Sequence, residues 1–229
     1  MVLKKFTPKN LWRNLIFATL FMGFVSLGGA RAVDAAQPES NRLDFTILRN
    51  GEEVGTWHAK FRKVGRDLKV AVRASIDLTA LTFRYYRFRQ ESHETWRDGK
   101  LIGLTSRLIM RRTAFKEEHR MILREKDGVL TGEIDGQKVE RAVDQVLNSL
   151  WDDRILLASQ VMHTANAQHL AISVADAGVE VIDVLGQAVP TRRYQIRGEF
   201  NRDLWYDGNY VLQRVQWQDG GNLMELVAR

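Results

Sequence analysis

Cysteine is absent from the 229-residue sequence, and only three prolines occur. Without cysteine the chain has neither disulfides nor a thiol to carry a lipid anchor, so its stability depends on an apolar core. No proline occurs between Pro38 and Pro190, which is typical of long, continuous strand pairing. The content of 45% hydrophobic and 27% charged residues is that of a globular chain, not of a disordered or polytopic membrane protein.

The familiar sequence motifs of catalysis are missing as well. The sequence has no Gly-x-Ser-x-Gly nucleophile elbow, no phosphate-binding glycine loop and no His-Glu-x-x-His metal motif. Two Glu-x-His pairs, Glu91/His93 and Glu117/His119, place a carboxylate beside an imidazole but lack further ligands at a recognisable spacing. No catalytic residue, metal site or cofactor is identified from these motifs. A non-enzymatic protein is favoured, but an enzyme stays open, because paired carboxylates leave little trace in sequence.

The net charge of +6 lies mostly at the N-terminus. Residues 1–36 hold five basic residues and one acidic residue, whereas the rest of the chain holds 29 basic and 27 acidic residues. The basic segment precedes a 13-residue apolar run, residues 15–27, and small residues that fit cleavage after Ala32 or Ala35. Residues 1–35 are therefore predicted to be a secretory signal peptide. A retained membrane anchor is the alternative, but the run is shorter than the roughly 20 residues that span a bilayer.

A cleaved signal peptide predicts that the mature chain is exported to the periplasm of a Gram-negative envelope. No stable membrane insertion is predicted after cleavage. An arginine cluster interleaved with aromatic residues resembles a nucleic-acid-binding face, but an exported chain meets anionic lipids or cell-wall polymers instead, and no nucleic-acid partner is predicted. The other interpretation is a solvated sheet face whose charges are balanced by nearby glutamates. The cluster consists of Arg84, Arg87, Arg89, Arg107, Arg111 and Arg112.

The remaining sequence predicts strands joined by tight turns. Residues 36–42 form a polar linker, and residues 43–229 form a single β-rich domain in which apolar and polar residues alternate, for example over 68–78 and 193–200. We predict a mainly β fold: one antiparallel sheet of ten to twelve strands, curved into a half or incomplete barrel. The turn signals are Asn50-Gly51, Asp98-Gly99, Asp127-Gly128, Asp135-Gly136, Asp207-Gly208 and Asp219-Gly220-Gly221.

One segment departs from strand alternation. Between residues 148 and 163, apolar side chains at Trp151, Ile155, Ala158 and Met162 follow the spacing of a helical face. A serine and an aspartate at the start of this segment, Ser149 and Asp152, resemble a capping box. We predict one amphipathic helix packed on the concave face of the sheet; a helix that plugs a sheet edge is the alternative.

Aromatic residues mark the predicted inner face. Tyr86, Phe88 and Trp96 are each an even number of residues from Glu94, and such residues of a strand lie on the same face of the sheet. The carboxylate of Glu94 is therefore predicted to point inward as well. Two interpretations of Glu94 stay open: a polar anchor in an apolar ligand cavity, or a structural residue paired with an arginine or a turn amide. The predicted ligand-lining residues are Trp57, Phe61, Tyr86, Phe88, Glu94, Trp96, Trp151 and Ile155.

Four stretches resemble domain-of-unknown-function family 6134, a family of secreted bacterial proteins. They are residues 45–55 (FTILRNGEEVG), residues 94–101 (ETWRDGKL), residues 149–151 (SLW), and Tyr194-x3-Gly198 followed by residues 203–208 (DLWYDG). Asp152 departs from the resemblance, because a small amide is expected after Trp151. The resemblance implies no known activity. The layout is similar to the open β-barrels of periplasmic lipoprotein carriers, which is an analogy at the level of the fold alone.

Three functions agree with these patterns. The first is a non-enzymatic binder or carrier of an apolar or amphiphilic, lipid-like ligand, held between the sheet and the helix. The second is an envelope structural or interaction module with a solid core, whose partner is another envelope protein. The third is a hydrolase of envelope polymers that acts through Glu94, Glu117 or Asp203. A continuous internal void of several hundred Å³ favours the carrier, and a filled core favours the module.

Overall fold

The computed structural model describes residues 40–80, 83–113 and 115–229. The predicted signal peptide and most of the predicted linker lie outside these residues. The described part of the chain contains no helix with the length and apolar character needed to cross a bilayer.

The described residues form one antiparallel sheet of fourteen strands. The strands are β1 (Arg42–Arg49), β2 (Glu52–Val64), β3 (Asp67–Ala80), β4 (Phe83–Arg97), β5 (Lys100–Arg112), β6 (Phe115–Lys126), β7 (Val129–Ile134), β8 (Gln137–Ala142), β9 (Gln160–Met162), β10 (His169–Val184), β11 (Gln187–Gly198), β12 (Arg202–Tyr206), β13 (Leu212–Asp219) and β14 (Asn222–Ala228).

The order of the strands in the sheet is β8-β7-β6-β5-β4-β3-β2-β1-β14-β13-β12-β11-β10-β9. Two meanders, β1 to β8 and β9 to β14, are therefore joined where β1 pairs with β14. The strands β8 and β9 form the two edges, and the sheet is not closed.

The predicted mainly β, antiparallel fold is confirmed, but the predicted ten to twelve strands are too few. The turns after β1, β4, β6 and β7 are the predicted Asn-Gly and Asp-Gly pairs, and both residues of each pair have φ between 50° and 86°. The hairpin between β10 and β11 instead turns at Leu185 and Gly186, with φ of 54° and 79°. Leucine rarely adopts this conformation, and Leu185-Gly186 lacks the Asn-Gly or Asp-Gly signature from which the other turns were predicted.

The sheet curves around one buried face. Side chains of β4 and β13, strands with four others between them in the sheet order, line the same cavity, and a flat sheet does not bring them together. A separate small cluster of Ile182, Val184 and Trp205 is buried apart from the main core. The fully buried side chains of the main core include Phe45, Ile47, Leu101, Leu104, Leu123, Leu130, Ile155, Ile196, Leu204 and Val215.

The predicted amphipathic helix is wrong. Its place is taken by a five-residue 3-10 helix, Asp153–Leu157, and by the edge strand β9. A longer helix is prevented because Leu150 has a φ of 70° and Ala158 is extended, with φ −85° and ψ 144°. The carboxylate of Asp152, and not the predicted Ser149, caps the turn by accepting the backbone N–H of Arg154 at 3.1 Å.

An irregular segment, residues 143–159, covers the buried face and is called the connecting segment below. It runs from one edge of the sheet to the other, since it joins β8 to β9. Val143 accepts a backbone hydrogen bond from Leu101 in β5 at 2.9 Å, and Val146 accepts one from Met162 in β9 at 2.8 Å. This segment, and not the predicted amphipathic helix, packs on the buried face, and its helical part is limited to the 3-10 helix Asp153–Leu157.

Candidate functional site

Trp151 is the centre of a solidly packed end of the domain. The connecting segment places its ring against two aromatic rings of the sheet, with centroid distances of 5.4 Å to Phe61 and 5.9 Å to Trp96. Both contacts are edge-to-face, the geometry that aromatic quadrupoles favour. The Tyr206 hydroxyl donates to the backbone carbonyl of Leu150 at 3.3 Å. These contacts enclose Trp151, which is 2% exposed.

Glu94 lies within this aromatic cluster and is 1% exposed. Its Oε2 accepts hydrogen bonds from the indole nitrogens of Trp96 at 3.0 Å and Trp151 at 2.9 Å. Burial raises the pKa of the carboxyl to about 7, against the opposite effect of the two indoles and the nearby Ser149 hydroxyl. Neither Oε1 nor the Ser149 hydroxyl has a hydrogen-bond partner of normal geometry. Glu94 therefore points inward as predicted, and its partners are indole N–H groups, not the expected arginine or turn amide.

A buried ion pair within the connecting segment positions an arginine that fixes this segment to the β4–β5 hairpin. Asp152 is fully buried, and Arg154 Nε donates to its two carboxylate oxygens at 2.8 and 2.9 Å. The same guanidinium donates to the carbonyl of Gly99 and lies over the ring of Trp96, 4.6 Å from its centroid. One arginine thus joins the connecting segment, the hairpin turn and the aromatic cluster.

A cavity of about 590 Å³ lies beside this packed end, between the sheet and the connecting segment. Its apolar wall comes from strands β1 to β5 and β14. The residues of the apolar wall are Ile47, Trp57, Val72, Ala74, Ile76, Tyr86, Phe88, Leu108, Met224 and Leu226. Exposed side chains at the rim, such as Gln218 and Asn201, show that the cavity opens to solvent.

A polar wall faces the apolar one. It is built by the connecting segment, the loop after β9 and the start of β12, and it includes Asn148, His163 and Arg202. The guanidinium of Arg202 lies 4.5 Å from the ring centroid of Phe200 and 4.6 Å from that of Trp217. Burial lowers the pKa of Arg202 to about 10 and lowers that of His163. At neutral pH the arginine is charged and the histidine is neutral.

The eight predicted ligand-lining residues fall into two groups. Trp57, Tyr86 and Phe88 line the cavity. The other five belong to the packed end, where each is buried: Phe61, Glu94, Trp96, Trp151 and Ile155. The polar wall was missed, because a charged residue at the start of a strand is expected to face solvent. The one signal available in the sequence was that Phe200 and Arg202 are two residues apart, so that in an extended chain both side chains lie on the same face.

Three arginines of the predicted arginine cluster form ion pairs at the surface of the sheet. Arg87 and Arg89 both bind Asp77, and Arg107 binds Glu118 at 2.9 Å. These contacts agree with the interpretation of a solvated face with balanced charges.

The three carboxylates of the hydrolase hypothesis lie at separate places. Glu94 is buried in the packed end, Glu117 binds His119 at 2.7 Å, and Asp203 forms ion pairs with Arg193 and Arg197. None of the three lines the cavity. Within the described ranges, no group of three or more His, Asp or Glu side chains is arranged to hold a metal ion.

Comparison with known proteins supports the fold and the family. A crystal structure of a β-barrel-like protein of domain of unknown function DUF1849 from Brucella abortus is similar, with a TM-score of 0.58 over 82% of this chain and 94% of that chain. At 8% sequence identity this similarity shows the fold alone. No curated protein sequence matches the chain significantly. The sequence profile of domain of unknown function DUF6134 matches residues 45–229, which confirms the resemblance, and the chain belongs to this family.

Proposed function

We propose that the chain is a non-enzymatic binding protein or carrier that holds an apolar or amphiphilic ligand in the cavity between the sheet and the connecting segment. The cavity of about 590 Å³ carries this proposal. Its volume falls within the range of about 300–1,000 Å³ that is typical of small-molecule sites. An envelope module with a solid core does not account for a void of this size beside a well-packed core.

The apolar wall supports a hydrocarbon ligand. Trp57, Tyr86 and Phe88 contribute large aromatic surfaces, and the remaining wall residues are mostly aliphatic. Burying a hydrocarbon chain contributes about 0.8 kcal/mol per methylene, so about ten methylenes contribute about 8 kcal/mol before the entropic cost of binding. A chain of this kind needs no sequence motif for its recognition, which agrees with the absence of one.

Native mass spectrometry of the protein purified from cells that express the full chain tests this proposal. We expect adducts heavier than the polypeptide, and an organic extract of the same sample that contains an amphiphile. A second test adds a brominated alkyl amphiphile, because Trp57 and Trp217 line the cavity and bromine quenches indole fluorescence. A bare polypeptide mass together with unchanged fluorescence would rule the proposal out.

We also propose that the protein acts in the periplasm, with residues 1–35 as the export signal. The basic segment, the apolar run and the small residues before Val33 and Ala36 support this location. Cell fractionation and N-terminal sequencing test it, with an expected mature N-terminus at Val33 or Ala36. An uncleaved chain in the cytosolic fraction would contradict it.

A further inference from the structure

We propose that the polar wall binds the anionic head group, a carboxylate or a phosphate, of an amphiphile whose tail lies on the apolar wall. Arg202 is the principal contact, with His163 and Asn148 as additional donors. This inference rests on the proposed function, because it requires that the cavity holds an amphiphile.

Within the part of the chain that the structure describes, Arg202 differs from the arginines around it by having no carboxylate partner. Arg193 and Arg197 pair with Asp203, and Arg214 pairs with Glu225. Among the described residues, none places a carboxylate oxygen within 4.0 Å of the Arg202 guanidinium. Its guanidinium makes one hydrogen bond to the described part of the chain, from Nη1 to the backbone carbonyl of the preceding residue at 2.6 Å. Most of its five donors therefore lack a protein acceptor.

Stacking explains how this charge is held in place without an acidic partner. The rings of Phe200 and Trp217 lie close to the guanidinium, at 4.5 and 4.6 Å, and stabilise it through cation–π contacts. A stacked guanidinium keeps its edge available, and that edge carries the donors that match a carboxylate or a phosphate. Because the surrounding protein removes water from the group, an anion at this edge interacts more strongly than it does in bulk solvent.

His163 and Asn148 add donors of the same kind. The Nδ1 atom of His163 accepts the backbone N–H of Ala165 at 3.2 Å, so the neutral ring carries its proton on Nε2. Burial and the nearby charges of His119 and Arg202 lower the pKa of His163 and keep the ring neutral. The Oδ1 atom of Asn148 accepts the N–H of Thr164 at 3.0 Å, which leaves the amide Nδ2 as a donor. Donors without protein acceptors on one cavity wall fit an anionic ligand.

Two carboxylates at the rim of the cavity repel an anion bound at Arg202. Glu199 and Asp219 also line the cavity, but both are exposed, and Glu199 accepts the backbone N–H of Ala171 at 2.8 Å. Solvent screens their charges, whereas the charge of Arg202 lies deeper. The charge of Asp219 raises the pKa of Arg202, so the two interact. Neutralising Asp219 is therefore expected to strengthen the binding of an anion.

Four probes with the same alkyl tail test the inference: dodecanoate, dodecyl phosphate, dodecanol and dodecyltrimethylammonium. Each is titrated below its micelle concentration, with tryptophan fluorescence or calorimetry as the readout. The wild type is expected to bind the two anions at least tenfold more tightly than the alcohol or the cation. The tighter of the two anions then identifies the head group as carboxylate or phosphate.

Variants separate the head group from the tail. Arg202→Gln is expected to weaken both anions by roughly 10- to 100-fold, the size of a charge-assisted hydrogen bond, and to leave dodecanol unchanged. Asp219→Asn, at an exposed position that does not endanger folding, is expected to tighten the anions alone. Arg66→Gln, an exposed arginine outside the cavity lining, is the matched control and changes nothing.

The outcomes distinguish the two proposals. Equal binding of anions and cation by the wild type overturns the inference and leaves the proposed function standing. The same holds if Arg202→Gln weakens dodecanol as much as the anions. If none of the four probes binds, the proposed function fails and the inference fails with it.

Discussion

Trp96 and Trp151 donate their indole N–H groups to one and the same oxygen, Oε2 of Glu94, at 3.0 and 2.9 Å. One indole belongs to the sheet and the other to the connecting segment, so this shared acceptor fastens the segment to the buried face. The carboxyl that makes the link is fully removed from water, and its protonation state therefore affects stability.

The raised pKa of Glu94 predicts a stability that declines with pH. In the folded chain this pKa is about 7, against 4.5 for an ordinary glutamate, because burial disfavours the charge. Between these two values the folded state holds a proton that the unfolded state has lost. The stabilisation is fully present below pH 4.5 and is lost as pH rises to 7, at up to about 1.4 kcal/mol per pH unit.

Glu94→Gln is the test, because glutamine imitates the protonated carboxyl and still accepts both indole N–H groups. Urea denaturation at pH 4.5 and pH 7 is expected to show a loss of stability that is about 3 kcal/mol smaller in the variant than in the wild type. Glu140→Gln, at an exposed position, is the control and keeps the wild-type decline. An equal decline in Glu94→Gln would show that the carboxyl does not titrate in this range.

The buried ion pair predicts a large difference between two arginine variants. Arg154→Ala leaves the fully buried Asp152 without its partner and removes the stack on Trp96. We expect it to lower the free energy of unfolding by about 3–5 kcal/mol. Arg66→Ala breaks an exposed pair with Asp98, and we expect a change of about 0–1 kcal/mol. Chemical denaturation of both variants measures the contrast, and similar losses would contradict it.

Parity and turn chemistry were sufficient to predict much of the sheet. The inward orientation of Glu94 followed from its parity with Phe88 and Trp96, because alternation along a strand is a local property. The Asn50-Gly51 turn was predictable for the same reason, since its backbone conformation is set by the two residues themselves.

The predictions that failed concern residues whose structure depends on contacts with distant parts of the chain. The apolar spacing of Trp151, Ile155 and Met162 suits a helix, but Met162 pairs with His169 in the sheet and the other two fill the core. Arg202 was missed because Trp217, one of the two rings that stack on its guanidinium, comes from the neighbouring strand, and no local pattern specifies that contact.

A glycine of the first family stretch is predicted to be required for close packing of β2 on β3. A Cβ atom at Gly55 would lie 1.8 Å from the carbonyl oxygen of Ser75, so the backbone would have to shift. We expect Gly55→Ala to lower the free energy of unfolding by about 1–3 kcal/mol. Gly208→Ala is the control, because a Cβ there has no atom within 4 Å, and a change within about 0.5 kcal/mol is expected. Thermal or urea unfolding tests the pair, and a neutral Gly55→Ala would refute the packing argument.

Filling the cavity is predicted to abolish binding without loss of stability. Ala74 lines the apolar wall opposite Trp57 on the neighbouring strand, so the ring in Ala74→Phe would occupy space that a ligand tail requires. We expect the affinity for a dodecyl probe to fall at least tenfold, while the free energy of unfolding stays the same or rises because the new ring packs against the apolar wall. Fluorescence titration and urea unfolding measure the two quantities on the same sample. Ala175→Phe, at an exposed position in β10, is the control and keeps wild-type affinity. Undiminished probe binding by a folded Ala74→Phe would mean that the ligand lies elsewhere on the protein.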